Sequence, residues 1–252
     1  MIIKKEKQAI ILAGGLSSRM GSITKNKHKS MLKIGEYPIL AHLYTQLRIN
    51  KIFEIFISTG HKSNIISSYC INKIKSDSDK ILNLLKNKKK YSYPKINISI
   101  LRSNSSTTER VLKLKKKLNN EFIVIYGDTL IKPNIIKLYK LYNNRKADIV
   151  ITISKPSPRF GTVKTSNERV TSFSEKKIEN EPWVNSGWIL MSKLLLKNFS
   201  KKKINFEKYL FVNCKKTKIF AYKNKSFYLP IDDINDLKKA NFFWKSNKKL
   251  WL

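Results

Sequence analysis

Ile10-Ile11-Leu12-Ala13-Gly14-Gly15-Leu16-Ser17-Ser18-Arg19-Met20-Gly21 is an apolar strand pattern that runs straight into two glycines. A short apolar run stopped by glycine reads as a strand covered on both faces. At the carboxyl edge of a sheet, such a turn exposes backbone N–H groups. Glycine lets the backbone approach a phosphate, and successive N–H groups form an anion nest. Ser17 and Ser18 add hydroxyl donors, and Arg19 adds a planar cation suited to phosphate. The spacing matches neither a Walker A loop nor the dinucleotide fingerprint. On this segment alone, a plain turn and a phosphate cradle both stay open.

Outward from it, short strands alternate with helical patterns. Gln8 to Leu12, Ile52 to Ser58, Ile96 to Leu101 and Phe122 to Tyr126 read as strands. Pro38 to Leu47, Lys62 to Ile71 and Thr107 to Leu118 read as helices, the first with proline at its first turn. Strands separated by helices predict a mostly parallel α/β sheet with helices on both faces. Lys75 to Lys95 is rich in Lys, Ser and Asn and reads as an insertion with one short helix and a loop. Further on, Asp148 to Ser154 and Val184 to Met191 read as strands. Thr162 to Thr165 and Val170 to Phe173 form a hairpin around Ser166-Asn167-Glu168, and Asn235 to Trp244 reads as a closing helix.

The 252 residues suit one domain, and a hydrophobic share of 41% is enough for a core despite a formal net charge of +35. A basic balance raises polyanions as partners. The lysines are diffuse, however, and accompanied by many Ile and Asn, all residues with AT-rich codons, so genomic base composition also explains the charge. A non-catalytic nucleic-acid-binding protein would need clustered basic residues with exposed aromatics, and the aromatics here occupy strand-like positions, so no specific nucleic acid is expected. Cys70 and Cys214 lie far apart and make neither a disulfide framework nor a metal pair, which fits a cytoplasmic location. No stretch is long enough for a transmembrane segment.

Several segments in order carry a resemblance to the sugar-phosphate nucleotidyltransferases, within them most to glucose-1-phosphate cytidylyltransferase. The glycine segment is similar to the family's G-G-x-G-T-R. His28-Lys29-Ser30-Met31 and Ile34-Gly35-Glu36-Tyr37-Pro38-Ile39-Leu40 follow it. Then come Tyr126-Gly127-Asp128, Arg159-Phe160-Gly161, Ser172-Phe173-Ser174-Glu175-Lys176, Val184-Asn185-Ser186-Gly187 and Tyr228-Leu229-Pro230-Ile231-Asp232. The resemblance implies a Rossmann-like mixed sheet with a small β-hairpin sugar-binding subregion. It implies a single domain over 1–252, with a nucleotide-binding half over 1–130 and a sugar-phosphate-binding half over 131–252. It further implies condensation of a nucleoside triphosphate, CTP, with a sugar 1-phosphate, glucose 1-phosphate, in polysaccharide or lipopolysaccharide synthesis. A homo-oligomer is compatible with it.

The same resemblance assigns roles to residues. Asp128 and Asp232 would hold Mg²⁺, a hard cation that takes one or two carboxylates plus phosphate oxygens. Leu12, Ala13, Gly14, Gly15, Ser17, Ser18, Glu109 and Arg110 would line the nucleotide. Arg19 and Lys29 would bear the phosphates, and Lys176 would align the attacking phosphate. Gly161, Glu175, Lys176 and Asn185 would hold the sugar phosphate. Read from the residues alone, Asp128 is equally a helix cap or turn former, and any of Asp232, Asp233 and Asp236 could cap the last helix. Departures from the family occur at Ser17, Ser18, Ser30, Glu36, Lys177, Ser186 and Tyr228. Thr107-Thr108-Glu109-Arg110 stands where the cytidylyltransferases carry T-G-G-R. Glu109 there fits either an amino group on cytosine or guanine, or the favourable first turn of a helix. A guanylyltransferase acting on a hexose or heptose phosphate is the alternative within the family, and a diverged inactive subunit another.

Overall fold

A computed structural model describes residues 6–15, 20–21, 24, 27–86, 89–157, 161–174, 182–197, 199, 205–213, 217–246 and 248–252. Its elements in chain order are β1 (Gln8–Ala13), β2 (Lys33–Ile34), β3 (Tyr37–Pro38), α1 (Ile39–Ile49), β4 (Glu54–Thr59), α2 (Ser63–Asn72), α3 (Ile74–Leu84), β5 (Lys95–Ile100), α4 (Thr107–Lys113) and β6 (Glu121–Tyr126). There follow β7 (Thr129–Ile131), α5 (Ile135–Asn144), β8 (Ile149–Ser154), β9 (Thr162–Ser166), β10 (Arg169–Ser174), β11 (Val184–Ser192), α6 (Phe206–Asn213), β12 (Ile219–Lys223), β13 (Tyr228–Pro230) and α7 (Ile234–Lys245).

Seven strands form one sheet in the order β12-β8-β11-β6-β1-β4-β5. β11 runs antiparallel to both its neighbours, and the other pairings are parallel. The expected mixed, mostly parallel α/β sheet is therefore present. The strand interiors are continuous apolar runs because the sheet separates two cores. Ile11, Ile123 and Ile125 face one of these, and Ile10, Phe122 and Val124 the other. From β1 the chain builds outward through β4 to β5, then returns to place β6 on the other side of β1. Strand order reverses there, and open sheets bind ligands at the carboxyl ends of such strands. The two ends meet closely: Gly127 N–H donates to Leu12 O at 3.0 Å. A Cβ on Gly127 would sit 2.6 Å from that same carbonyl oxygen, so only glycine lets β6 end against β1.

Several elements sharpen the sequence reading. The segment read as an insertion at 75–95 contains most of α3, whose Ile74, Ile81 and Leu82 are buried. Arg48 on α1 pairs with Asp79 at 2.6 Å and fastens it. The expected hairpin is β9–β10, with Asn167 and Glu168 both at positive φ, the geometry of a tight two-residue turn. Not anticipated was β7 or its antiparallel pairing with β13, a short ribbon that sets Thr129 against Pro230 and Ile131 against Tyr228.

The end of the chain folds back on α1. Trp251 is fully buried, and its indole N–H donates to His42 Nδ1 at 3.4 Å. Indole nitrogen only donates, so His42 carries its proton on Nε2, which donates to Ile34 O at 3.1 Å. Burial without a carboxylate partner pushes the His42 pKa down from 6.5 to about 4. His28, also buried, is lowered to about 4 by the same cause. Between these values the unfolded chain binds protons that the folded chain refuses. The histidine contribution to stability is full above pH 6.5 and is lost as the pH falls toward 4. Calorimetric melting should show Tm falling across that window, and His42→Asn should show a smaller fall than the wild type. Equal falls would remove His42 from the account.

Candidate active site

Three distant residues converge at the carboxyl edge of the sheet. Lys29 Nζ lies 2.9 Å from Asp128 Oδ2 and 2.9 Å from Asp232 Oδ1. Asp128 follows β6 and Gly127, at the reversal of strand order. Asp232 is carried beside it by the β7–β13 ribbon, which continues as Ile231 N–H donating to Asp128 O at 2.9 Å. Lys29 lies in a short 3-10 turn, Lys29–Met31, and is only 8% exposed. Burial by itself lowers its pKa, but the two carboxylates outweigh that and the net shift is upward, so the ammonium stays charged.

The alternatives left open by the sequence are resolved locally. Among the described residues Asp128 caps no helix, the N-cap of α5 being Asn134, whose side chain accepts from Lys137 N; it does lie in the turn Gly127-Asp128 that joins β6 to β7. Asp233 is the N-cap of α7 and forms a reciprocal capping box with Asp236. Asp236 also accepts from the Asp232 N–H at 2.9 Å. Two of the three carboxylates are thus consumed by the helix start, and Asp232 is the one turned to Lys29.

The glycine turn lies at the end of β1, where Leu12 and Ala13 are the last strand residues. Arg110, on α4, reaches beneath it. Its guanidinium donates to Gly14 O at 2.9 Å, Thr59 O at 2.8 Å and Arg102 O at 3.0 Å, and makes a longer contact to Ser103 O at 3.4 Å. A Cβ on Gly14 would fall 2.1 Å from that guanidinium, so the glycine makes room for the arginine. Gly15 differs. Among the described residues, chain neighbours aside, no atom lies within 4 Å of a Cβ built there, and its φ is not positive. Within the described residues neither packing nor backbone demands glycine at 15, and the residue is exposed.

Glu109, the third residue of α4, forms a capping box: its carboxylate accepts from Ser106 N at 2.7 Å and the Ser106 hydroxyl accepts from Glu109 N at 3.2 Å. Asn185 opens β11 and donates to the Tyr126 hydroxyl at 3.4 Å. Gly161 lies exposed before β9. Ser17, Ser18, Arg19, Glu175 and Lys176 lie outside the described residues. Among the described residues, no group of three or more His, Cys, Asp or Glu could hold a metal. Nor, among the described residues, is any helix long and apolar enough to cross a membrane.

Two residues at this edge were not singled out from sequence. Glu207, on α6, accepts a hydrogen bond from the Tyr126 hydroxyl. It is placed there because Phe206 N–H donates to Thr107 Oγ1 at 2.9 Å, docking α6 on the first turn of α4. Burial first, then the Glu207 carboxylate, raises the Tyr126 pKa and keeps the phenol protonated. His28 is the second, with Nε2 at 3.1 Å from Gly15 O. Glu207 belongs to no local pattern; His28 stands in the segment His28-Lys29-Ser30-Met31, but only the tertiary contact with Gly15 marks it as more than a neighbour of Lys29.

Comparison with known proteins gives concordant results. The family described as nucleotidyl transferase matches residues 8–248. The chain is 28% identical to D-glycero-alpha-D-manno-heptose 1-phosphate guanylyltransferase of Aneurinibacillus thermoaerophilus over 238 residues, which is 92% of this chain and 96% of the relative. It is 23% identical to glucose-1-phosphate cytidylyltransferase of Salmonella typhi, covering 97% and 98% respectively. Its fold superposes on the crystal structure of HddC from Yersinia pseudotuberculosis with a TM-score of 0.71 at 23% identity, covering 94% of this chain and 99% of that one.

Replacing Arg110 by Gln should strand buried carbonyls, at a cost of about 3 kcal/mol in stability, read from urea unfolding. A loss within about 0.5 kcal/mol would mean that the arginine is not the support of the glycine turn.

Proposed function

The chain belongs to the nucleotidyl transferase family, and from that premise we propose that it condenses a nucleoside triphosphate with a sugar 1-phosphate, releasing pyrophosphate and a nucleotide-sugar, with Asp128 and Asp232 as its metal ligands. The observation that carries the reading is the convergence of Asp128, Asp232 and Lys29 at the carboxyl edge beside the glycine turn. A sugar phosphate is ionised at neutral pH and needs little help from a base. The obstacle is repulsion between it and the triphosphate, so the task is charge neutralisation and in-line positioning.

The donor set fits magnesium. Two partly exposed carboxylates offer hard oxygen ligands, and an ion of this kind completes its shell with water and substrate phosphates rather than an all-protein cage. When bound, it would supply positive charge to the α-phosphate and the leaving pyrophosphate. Lys29 holds the two carboxylates in register and presents an ammonium at the same edge. Gly15 leaves its backbone accessible to phosphate. Arg19 on the phosphates, and Glu175 and Lys176 on the sugar phosphate, complete the proposal by resemblance. Asn185 and Tyr126 stand at the end of β6, where sugar hydroxyls would be met. Glu207 fixes the Tyr126 hydroxyl.

For the substrate pair, GTP with a heptose 1-phosphate is supported by the higher identity to the heptose guanylyltransferase and by the departure from T-G-G-R at Thr108 and Glu109. The second reading is CTP with glucose 1-phosphate, supported by the motif resemblance and the cytidylyltransferase relative. A matrix of nucleoside triphosphates against sugar 1-phosphates, followed by pyrophosphate release, decides between them. No release with any pair would sink the enzyme reading.

Asp128→Asn should lower kcat by at least about 100-fold while the protein stays folded. Chelation should abolish turnover and added Mg²⁺ restore it. Activity unaffected by both treatments would remove the metal from the site.

A further inference from the structure

His28 is 4% exposed and makes hydrogen bonds through opposite edges of its ring, two at Nδ1 and one at Nε2. Nδ1 accepts from Ser30 N–H at 3.2 Å, and lies 2.8 Å from the Ser30 hydroxyl. A backbone N–H only donates, so Nδ1 carries no proton. The neutral ring then has its proton on Nε2, which donates to Gly15 O at 3.1 Å. One side chain thereby joins the turn that carries Lys29 to the turn that carries Gly14 and Gly15.

We propose that His28 is a positioning residue of the nucleotide site, a neutral strut that holds the glycine turn at a set distance from Lys29. The proposal rests on reading Gly14–Gly15 as the phosphate cradle. Each carbonyl of the cradle has its own anchor: Gly14 O is held by Arg110 and Gly15 O by His28. In a trans peptide the carbonyl and the following N–H point in opposite directions. Anchoring both carbonyls in the protein therefore sets the orientation of the peptide units that a phosphate would meet. Imidazole suits the task because its donor and acceptor sit on opposite sides of a rigid ring. An amide carries both on one end. A permanently charged side chain would bear the cost of desolvation at this buried place, the first cause that holds the His28 ring neutral. Protonation of Nδ1 would set two donors, the ring and Ser30 N–H, against each other. The residue is thus useful only as a neutral ring, and burial keeps it so.

Two substitutions separate the two bonds. Asparagine places a carbonyl near Nδ1 and retains the Ser30 contact but cannot reach Gly15. Glutamine places an amide near Nε2 and restores the reach. Magnesium pyrophosphate, which engages a phosphate cradle whatever the base, is the probe for calorimetric titration. His28→Asn should weaken pyrophosphate binding and raise KM for the triphosphate about tenfold, with KM for the sugar 1-phosphate within about twofold. His28→Gln should recover most of the loss. Unchanged pyrophosphate binding in H28N overturns the proposal. So does equal weakening toward both substrates with a fall in Tm that H28Q does not restore, since that is the mark of a merely structural residue. A wild type that binds no pyrophosphate overturns the cradle itself. Hydrogen exchange at Ala13 to Gly15 distinguishes that failure: a rise of about tenfold in H28N shows that the strut exists even if the cradle reading is wrong.

Discussion

A buried ammonium between two carboxylates organises this protein. Lys29 is almost wholly withdrawn from water, and a lone charge in that position would be strongly unfavourable. It is tolerable because Asp128 and Asp232 both lie at 2.9 Å. The converse also holds, since two carboxylates side by side repel unless a cation lies between them. The three residues come from the first turn region, the end of a central strand and the far end of the chain. Each arrives by separate means: a 3-10 turn, the sheet edge, and the β7–β13 ribbon.

Beside this cluster lies a glycine turn held from below. Arg110 and His28 fix its carbonyls, and the strand ends of β1 and β6 approach so closely that Gly127 alone fits between them. The arginine, although cationic, spends its donors on backbone oxygens rather than on anything outside. Under the proposed function, rigidity in a turn that meets a polyphosphate has a clear use. Donors oriented in advance need no reorganisation when charge develops. Gly15 is exposed, and under the proposed function it is where a phosphate would meet the backbone.

The net charge of +35 has little to do with this architecture. The cations that matter at the edge are individually placed and buried, whereas most lysines are spread over the surface. Some of those pack their charge against aromatic rings, as Lys155 and Lys223 both do on Trp183. Diffuse charge shapes solubility and encounter with anions; it does not build a site.

Much of the fold was legible in the residues. Apolar runs such as Phe122 to Tyr126, stopped by glycine, are readable because burial on both faces acts residue by residue along a strand. Helix starts are readable at Thr107, where Ser106 and Glu109 make a capping box, because capping is also local. The resemblance pointed to Asp128, Asp232 and Lys29. What sequence could not decide was which of Asp232, Asp233 and Asp236 faces the site, because all three are plausible caps and only the geometry of α7 uses up two of them. It could not show that Arg110 supports the glycine turn, that Glu207 reaches Tyr126, or that His28 spans two turns. Strand periodicity and capping are short-range and repeat along the chain. Convergence depends on strand order, crossovers and one ribbon joining residues about a hundred positions apart, and no local preference encodes it.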